Sequence, residues 1–294
     1  GDGEEGTLVA DFDDEERRRH ITINTTLTSL EWQDAKLNLL DTPGEFDFMG
    51  EVQAALRVAG SALILVNAKS GVEVGVEKAV RYLHRPDIPY AFLVNHIDDE
   101  NANYRKVLGE LKETEYGRAV QPFIMPIIED RDLIGFVDTV RMKAYKYLDK
   151  GELEPCEIPE DMQTEAETHH EMLIESAAES DDDLMIKFFE GEEFTSDEIH
   201  NALRQGIQDG HLIPVWYTSS TENLGVKWVL DQLIEFMPAA VTRHMVQAIQ
   251  PDGTTIELPT DPEGPLAAFV FKTISDPFVG RISLLRVYSG TLKD

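Results

Sequence analysis

A single cysteine, Cys156, stands among 294 residues, so no intrachain disulfide can form and the thiol content matches a reducing compartment. Apolar runs are short. The longest, such as "SALILVNA" over 61–68, fall far below the roughly 20 residues that a bilayer-spanning helix needs. Bases are scarce, 26 Lys and Arg against 56 Asp and Glu, for a formal net charge of −30. That balance argues against generic electrostatic binding to nucleic acid, but leaves room for local basic contacts on a large RNA–protein particle. The opening "GDGEEGT" has neither the basic nor the apolar stretch of a secretory leader. Together these absences predict a soluble cytoplasmic protein with no membrane segment.

Apolar residues make up 42% of the chain, enough for a substantial core. The length allows two domains, or one domain with a large insertion. Residues 151–200 hold 18 acids and a single base, Lys187. This stretch reads first as a solvated acidic face, with salt adaptation or a basic partner as the alternatives.

Residues 20–32, "HITINTTLTSLEW", alternate and are rich in β-branched side chains, which predicts a half-exposed strand. The runs 36–41, 61–67 and 90–95 are short and nearly all apolar. Between them lie helical patterns, one with Val52, Leu56 and Ala59 on a face, another with Val76, Val80 and Leu83. Apolar strands alternating with amphipathic helices predict a parallel sheet covered on both faces. Ligands of such sheets sit at the carboxyl ends of strands, where Asp41 and Asn95 fall. From about 100 to 210 the pattern changes. Strands over 120–127, 132–138 and 142–148 predict a small separate sheet, followed by helices over 159–178, 181–190 and 196–208. "TSDE" at 195–198 is a capping box that starts the last of these. A buried strand over 211–217 and a helix over 225–237 resume the first style. A Pro/Gly-rich linker at 251–265 then leads into two strands of an all-β region.

Three pieces carry chemistry: Asp41-Thr42-Pro43-Gly44, Asn95-His96-Ile97-Asp98, and Ser219-Ser220 after the strand 211–217. Each alone is a common turn sequence. Their placement after successive buried strands points to a guanine nucleotide. Asp41 is suited to hold Mg²⁺ through a water, and the Gly44 N–H to bond a γ-phosphate at close approach. Asp98 offers two acceptors to the two donors on guanine's N1 and 2-amino edge. Asn95 braces the neighbouring loops, and Ser219 and Ser220 are expected to offer backbone donors to the guanine oxygen.

In these segments the chain resembles the translational GTPases, specifically elongation factor G and its paralogues, nearly end to end. "RRRHITINTTLTSLEWQDAKLNLLDTPGEFDF" is similar to that family's switch I end, two strands and switch II. "FLVNHIDDENANY" resembles its guanine motif, "RMKAYKY" and "KFFEGEEFTSDEI" its inserted subdomain, and "GPLAAFVFKTISDPFVGRISLLRVYSGTL" the opening of its barrel domain II. The resemblance implies an α/β fold, a P-loop-type GTPase parallel sheet with an α+β inserted subdomain, followed by the start of a β-barrel. It divides the chain into a partial GTPase domain (1–100), the insert (101–210), the rest of the GTPase domain (211–250), and a linker with the start of domain II (251–294). It implies GTP/GDP and Mg²⁺ as cofactors and Thr22 in "HITI" as the switch threonine on the metal. It also implies a monomeric protein whose partner is the ribosome, including ribosomal RNA and the stalk protein that faces the insert.

The departures matter too. The family's phosphate loop, G-x-x-x-x-G-K-[ST], has no counterpart in these residues. A piece of a longer protein is therefore expected, because a missing central strand would leave buried peptide groups unpaired at on the order of 1–3 kcal/mol each. His96 replaces the family's lysine, whose stem lies across the guanine plane; an imidazole can stack there, or can be a tolerated loop residue. His20 replaces a glycine. Glu45 stands where the family generally carries the histidine that positions the attacking water. A carboxylate about 4 Å from a phosphate charge is repelled by roughly 4 kcal/mol per charge pair at a surface-like dielectric. That is worth nearly three decades in rate. Slow or strongly ribosome-dependent hydrolysis is expected. The alternatives are a hydrolysis-impaired ribosome-bound regulator, a ribosomal protection protein, and an interaction protein without nucleotide.

Overall fold

The chain divides into two compact units, residues 1–60 with 239–294, and residues 61–238. The structure, a computed structural model, describes residues 10, 12–84, 88–130, 132–148, 151–239, 245–250, 252–276 and 278–293. The acidic opening read from the sequence lies outside them.

In the first unit the Asp13 carboxylate takes the Glu15 N–H at 2.8 Å and starts helix α1 (Asp14–Arg19), while Glu16 accepts the Asp13 N–H at 3.1 Å. Three acids open α1 and three arginines close it, as the helix dipole favours. His20 ends it at φ 54°, in the left-handed region where glycine is the usual residue. The strand expected over 20–32 begins only at Thr26, as β1 (Thr26–Trp32). Residues before it are folded back onto α1: Glu16 is fully buried, and its carboxylate accepts the Ile23 N–H at 3.0 Å and the Asn24 N–H at 2.9 Å. A tight turn at Gln33 and Asp34 then leads to β2 (Ala35–Asp41), which pairs antiparallel with β1 from Trp32↔Ala35 to Thr26↔Asp41. This corrects the expectation that residues 36–41 belong to the parallel sheet. β2 is half of a hairpin and buries none of its side chains fully, unlike a central parallel strand. Helix α2 (Met49–Leu56) follows.

The second unit runs β3 (Ala62–Asn67), α3 (Val74–His84), β4 (Tyr90–Asn95), α4 (Tyr104–Lys112), β5 (Val120–Pro122), β6 (Ile124–Glu129), β7 (Asp132–Asp138), β8 (Lys143–Tyr147), β9 (Leu153–Cys156), α5 (Gln163–Ala178), α6 (Asp182–Glu190), α7 (Ser196–Gln208), β10 (Ile213–Tyr217) and α8 (Val226–Phe236). The parallel sheet has the order β3-β4-β10-β5. Its inner strands are buried along nearly their whole length, β10 at every residue. Phe92, Trp216 and Phe236 are among the best-shielded side chains of the unit.

The single strand expected over 120–127 is two. Phe123, fully buried, is the corner between them: its N–H donates to the Val215 carbonyl and its carbonyl accepts the Thr139 N–H, both at 3.1 Å. Residues 120–122 stay with the parallel sheet, and β6 starts a separate antiparallel sheet, β6-β7-β8-β9. β9, with Glu and Pro in four residues, carries no strand signal in its sequence. Helix α5 covers this sheet through a small core that includes Met125, Val137, Ala144, Met162 and Ala166. The capping box expected at Thr195 and Glu198 starts α7.

Returning to the first unit, β11 (Met245–Ile249) pairs antiparallel with β12 (Thr255–Pro259). β12 therefore lies inside the stretch expected to be a linker. A short turn with the Gln250 N–H on the Thr254 carbonyl at 2.8 Å brings the two strands together, and Gly253 takes φ 86° there. β13 (Ala267–Asp276) and β14 (Gly280–Ser289) form a second hairpin. The chain is thus mixed α/β, with a parallel sheet and antiparallel strands after it.

Candidate functional site

Two neighbouring parallel strands, β4 and β10, bring the guanine-side candidates together. Val94 lies opposite Tyr217, so the loops that leave both strands start side by side. Asn95 ties them. Its Oδ1 accepts the Ser220 N–H at 3.0 Å and the Thr218 hydroxyl at 3.2 Å, and its Nδ2 donates to the Ser220 Oγ at 2.8 Å. The Ile97 N–H on the Thr218 carbonyl at 3.3 Å adds a backbone stitch, and the Asn95 carbonyl takes the Ala68 N–H at 2.9 Å. Asn95 is 9% exposed and Thr218 2%. Asn95 thus makes the bonds of a brace. Thr218 is a member of it that sequence reasoning missed; its only signal was its place just before the Ser-Ser pair.

The N–H groups of Ser219 and Ser220 were expected to face a guanine oxygen. In the structure they are engaged within the protein: that of Ser219 donates to the Leu224 carbonyl at 3.1 Å and that of Ser220 to Asn95. Both serines shape the loop instead. Gly225 closes it at φ 78°, where an added Cβ would meet the Tyr217 carbonyl at 3.0 Å. His96 is exposed and left-handed at φ 60°, an uncommon backbone for a residue with a Cβ. Ile97 is buried.

Asp98 differs from its neighbours. Its Oδ1 is buried and has no hydrogen-bond partner among the described residues. An unpaired buried acceptor is costly, and water or a bound ligand can supply the donor. A purine edge with adjacent N–H groups supplies such donors, so the residues present fit a guanine base.

The phosphate-side candidates lie in the first unit. Thr22 sits in the segment between α1 and β1, held in place by the Glu16 contacts to Ile23 and Asn24 on its far side. Asp41 ends β2, opposite Thr26. Thr42, the buried Pro43 and the exposed Gly44 and Glu45 follow without regular structure. Nothing lies within 4 Å of a Cβ built on Gly44, and its φ is not positive. The fold itself therefore does not demand glycine there, and the open space suits a close-approaching ligand. Glu45 precedes a short 3₁₀ turn (Phe46–Phe48) and makes no side-chain capping bond to it. Thr22 and Asp41 offer oxygen donors of the kind a hard divalent cation takes. Among the described residues no group of three or more His, Cys, Asp or Glu side chains could hold a metal alone.

The chain matches the elongation factor Tu GTP binding domain family over residues 2–239. Across its whole length it also aligns with a crystal structure of a protein from Thermus thermophilus, at a TM-score of 0.87 and 32% sequence identity. It spans 41% of that protein's chain. Because the family match takes in more than half of its residues, the chain belongs to the elongation factor Tu GTP binding domain family.

Proposed function

We propose that this chain is the guanine-nucleotide-binding part of a translational GTPase of the elongation factor G-like kind. The observation that carries the reading is the buried, unpartnered Oδ1 of Asp98 beside loops braced by Asn95. Asp98 accepts from the N1 and 2-amino donors of guanine, and the exposed His96 stacks on the base. Ile97, buried below, and the loop 218–220 keep those two residues in place. Thr22 and Asp41 would hold Mg²⁺, with Thr42 and Pro43 fixing the turn and the Gly44 N–H meeting the γ-phosphate. When bound, the cation neutralises phosphate charge. In the intact protein GTP goes to GDP and phosphate on the ribosome, with residues 101–210 as an inserted subdomain toward the stalk protein and 251–294 as the start of a barrel domain. We place this activity in the cytoplasm and in a monomer. None of the described helices is long and apolar enough to cross a membrane.

Glu45 favours a second reading, a GTP-bound regulator with impaired hydrolysis. Its carboxylate is exposed and no capping bond turns it toward the protein.

The base contact is tested by Asp98→Asn. An amide presents one donor and one acceptor, which matches the N1–H and 2-oxo groups of xanthine rather than guanine. Titration of the intact protein should show GTP preferred to XTP in the wild type and the order reversed in the variant. Equal GTP affinity of the two proteins would remove Asp98 from the site.

A further inference from the structure

In the first unit, one lysine joins three elements. Lys272 lies on β13, and its side chain is 12% exposed. Its Nζ donates to the Thr25 carbonyl at 3.0 Å and to Glu51 Oε2 at 2.6 Å. The same Oε2 accepts the Thr25 N–H at 2.7 Å, and the Thr25 hydroxyl donates to the Glu51 carbonyl at 3.1 Å. Thr25 is buried and lies three residues after Thr22, while Glu51 is in the first turn of α2, the helix that follows the 41–45 turn. The N–H and the carbonyl of Thr25 are thereby tied to Glu51 and Lys272. Burial works to raise the Glu51 pKa, but the ammonium and the Thr25 N–H outweigh it, so the carboxyl titrates below its ordinary range and is charged at neutral pH.

The same hairpin grips the other end of α2. Arg286 on β14 donates to the Val58 carbonyl at 2.5 Å, the Tyr288 hydroxyl donates to the Arg57 carbonyl at 3.2 Å, and the Arg57 guanidinium lies 5.6 Å from the Phe269 ring centre. A cation at a helix's carboxyl end also meets its dipole favourably. α2 therefore cannot shift without breaking bonds to the hairpin, and the Thr22-bearing segment cannot shift without breaking bonds to α2.

We infer that Lys272 is a positioning residue that couples the Thr22 segment, α2 and the β13–β14 hairpin into one moving body, so that the presence of a γ-phosphate is transmitted to the hairpin. This rests on the nucleotide reading above. Coupling of this kind is reciprocal: if a γ-phosphate steadies the body, loosening the body weakens binding of the triphosphate more than that of the diphosphate.

The test is Lys272→Met, which keeps the apolar stem, with Glu51→Gln as a milder companion that keeps the shape and removes the charge. Two readouts apply to the intact protein. Without nucleotide, hydrogen exchange at residues 23–26 and 49–58 should rise together in Lys272→Met. With nucleotide, affinity for a non-hydrolysable GTP analogue should fall about tenfold while GDP affinity holds, within the usual range of allosteric coupling. Glu51→Gln should move both readouts in the same direction by less. An equal loss of both nucleotides would make Lys272 merely structural and overturn the coupling. So would exchange that rises at β13 alone, or an unchanged affinity ratio. A wild-type protein that binds neither nucleotide would instead overturn the nucleotide reading, leaving the exchange result to judge the clasp.

Discussion

Replacing Asn95 with alanine should loosen the loop 218–220 and cost measurable stability. The side chain makes three hydrogen bonds, at 2.8, 3.0 and 3.2 Å, to Ser220 and Thr218. Each is worth roughly 1 kcal/mol net. The two partners differ in what the loss costs. Thr218 is 2% exposed, so water reaches its hydroxyl poorly. Ser220 is exposed, and water makes good part of its two bonds. The balance comes to about 2 kcal/mol, equivalent to about a 30-fold shift in the folding equilibrium. Trp216 lies two residues before Thr218 and is fully buried, so its fluorescence reports on this region. Urea unfolding should show a lower midpoint with an unchanged slope, because the surface exposed on unfolding hardly changes. Guanine nucleotide affinity should fall with it, because the loop that steadies the base side is freed. A stability loss below about 0.5 kcal/mol, the range of an ordinary surface substitution, together with unchanged affinity, would refute the brace.

Two other outcomes can be measured directly. Glu45→His should raise the rate of ribosome-stimulated phosphate release by one to three decades, roughly the size of the charge repulsion it relieves; a single-turnover assay with no change would take Glu45 out of the chemistry. Between α6 and α7, the Lys187 ammonium, followed by the Thr195 backbone and hydroxyl, lowers the Glu198 pKa from 4.5 to about 2. A carboxyl lowered on folding contributes stability above its unfolded value and loses it as pH falls. Thermal melts should therefore drop more steeply for the wild type than for Lys187→Met between pH 4.5 and about 2, and parallel curves would contradict the ion pair.

Much of the fold, together with the bracing bonds of Asn95, is legible in the sequence because the signals are local. The 195–198 capping box needs only residues within one helical turn, and it starts α7 where expected. The runs 90–95 and 132–138 are strands with the expected bounds. Asn95 reads as a brace because a buried amide at a strand end has few other partners, and the loop it holds is that of Ser219 and Ser220. Legibility fails where a choice belongs to distant residues. Residues 120–128 are largely apolar, and long-range pairing with β10 and β7, with the corner contacts of Phe123 to Val215 and Thr139, makes them serve two sheets. Residues 21–25 have strand propensity, yet the carboxylates of Glu16 and Glu51 take N–H groups of this segment and withhold them from a ladder. Ser219 and Ser220 have the chemistry of donors to a ligand, but Leu224 and Asn95 claim their N–H groups first.

By itself, the amino-acid order marked the strands 90–95 and 132–138, the amphipathic helices, and the capping box at 195–198. Those properties follow from periodicity and side-chain chemistry within a few residues. Tertiary structure alone decided which strand pairs with which, which backbone donors are already used, and that Lys272, more than 200 residues along the chain, closes on Thr25 and Glu51. A hydrogen bond forms with whatever partner the fold delivers, and sequence distance places no limit on which partner that is.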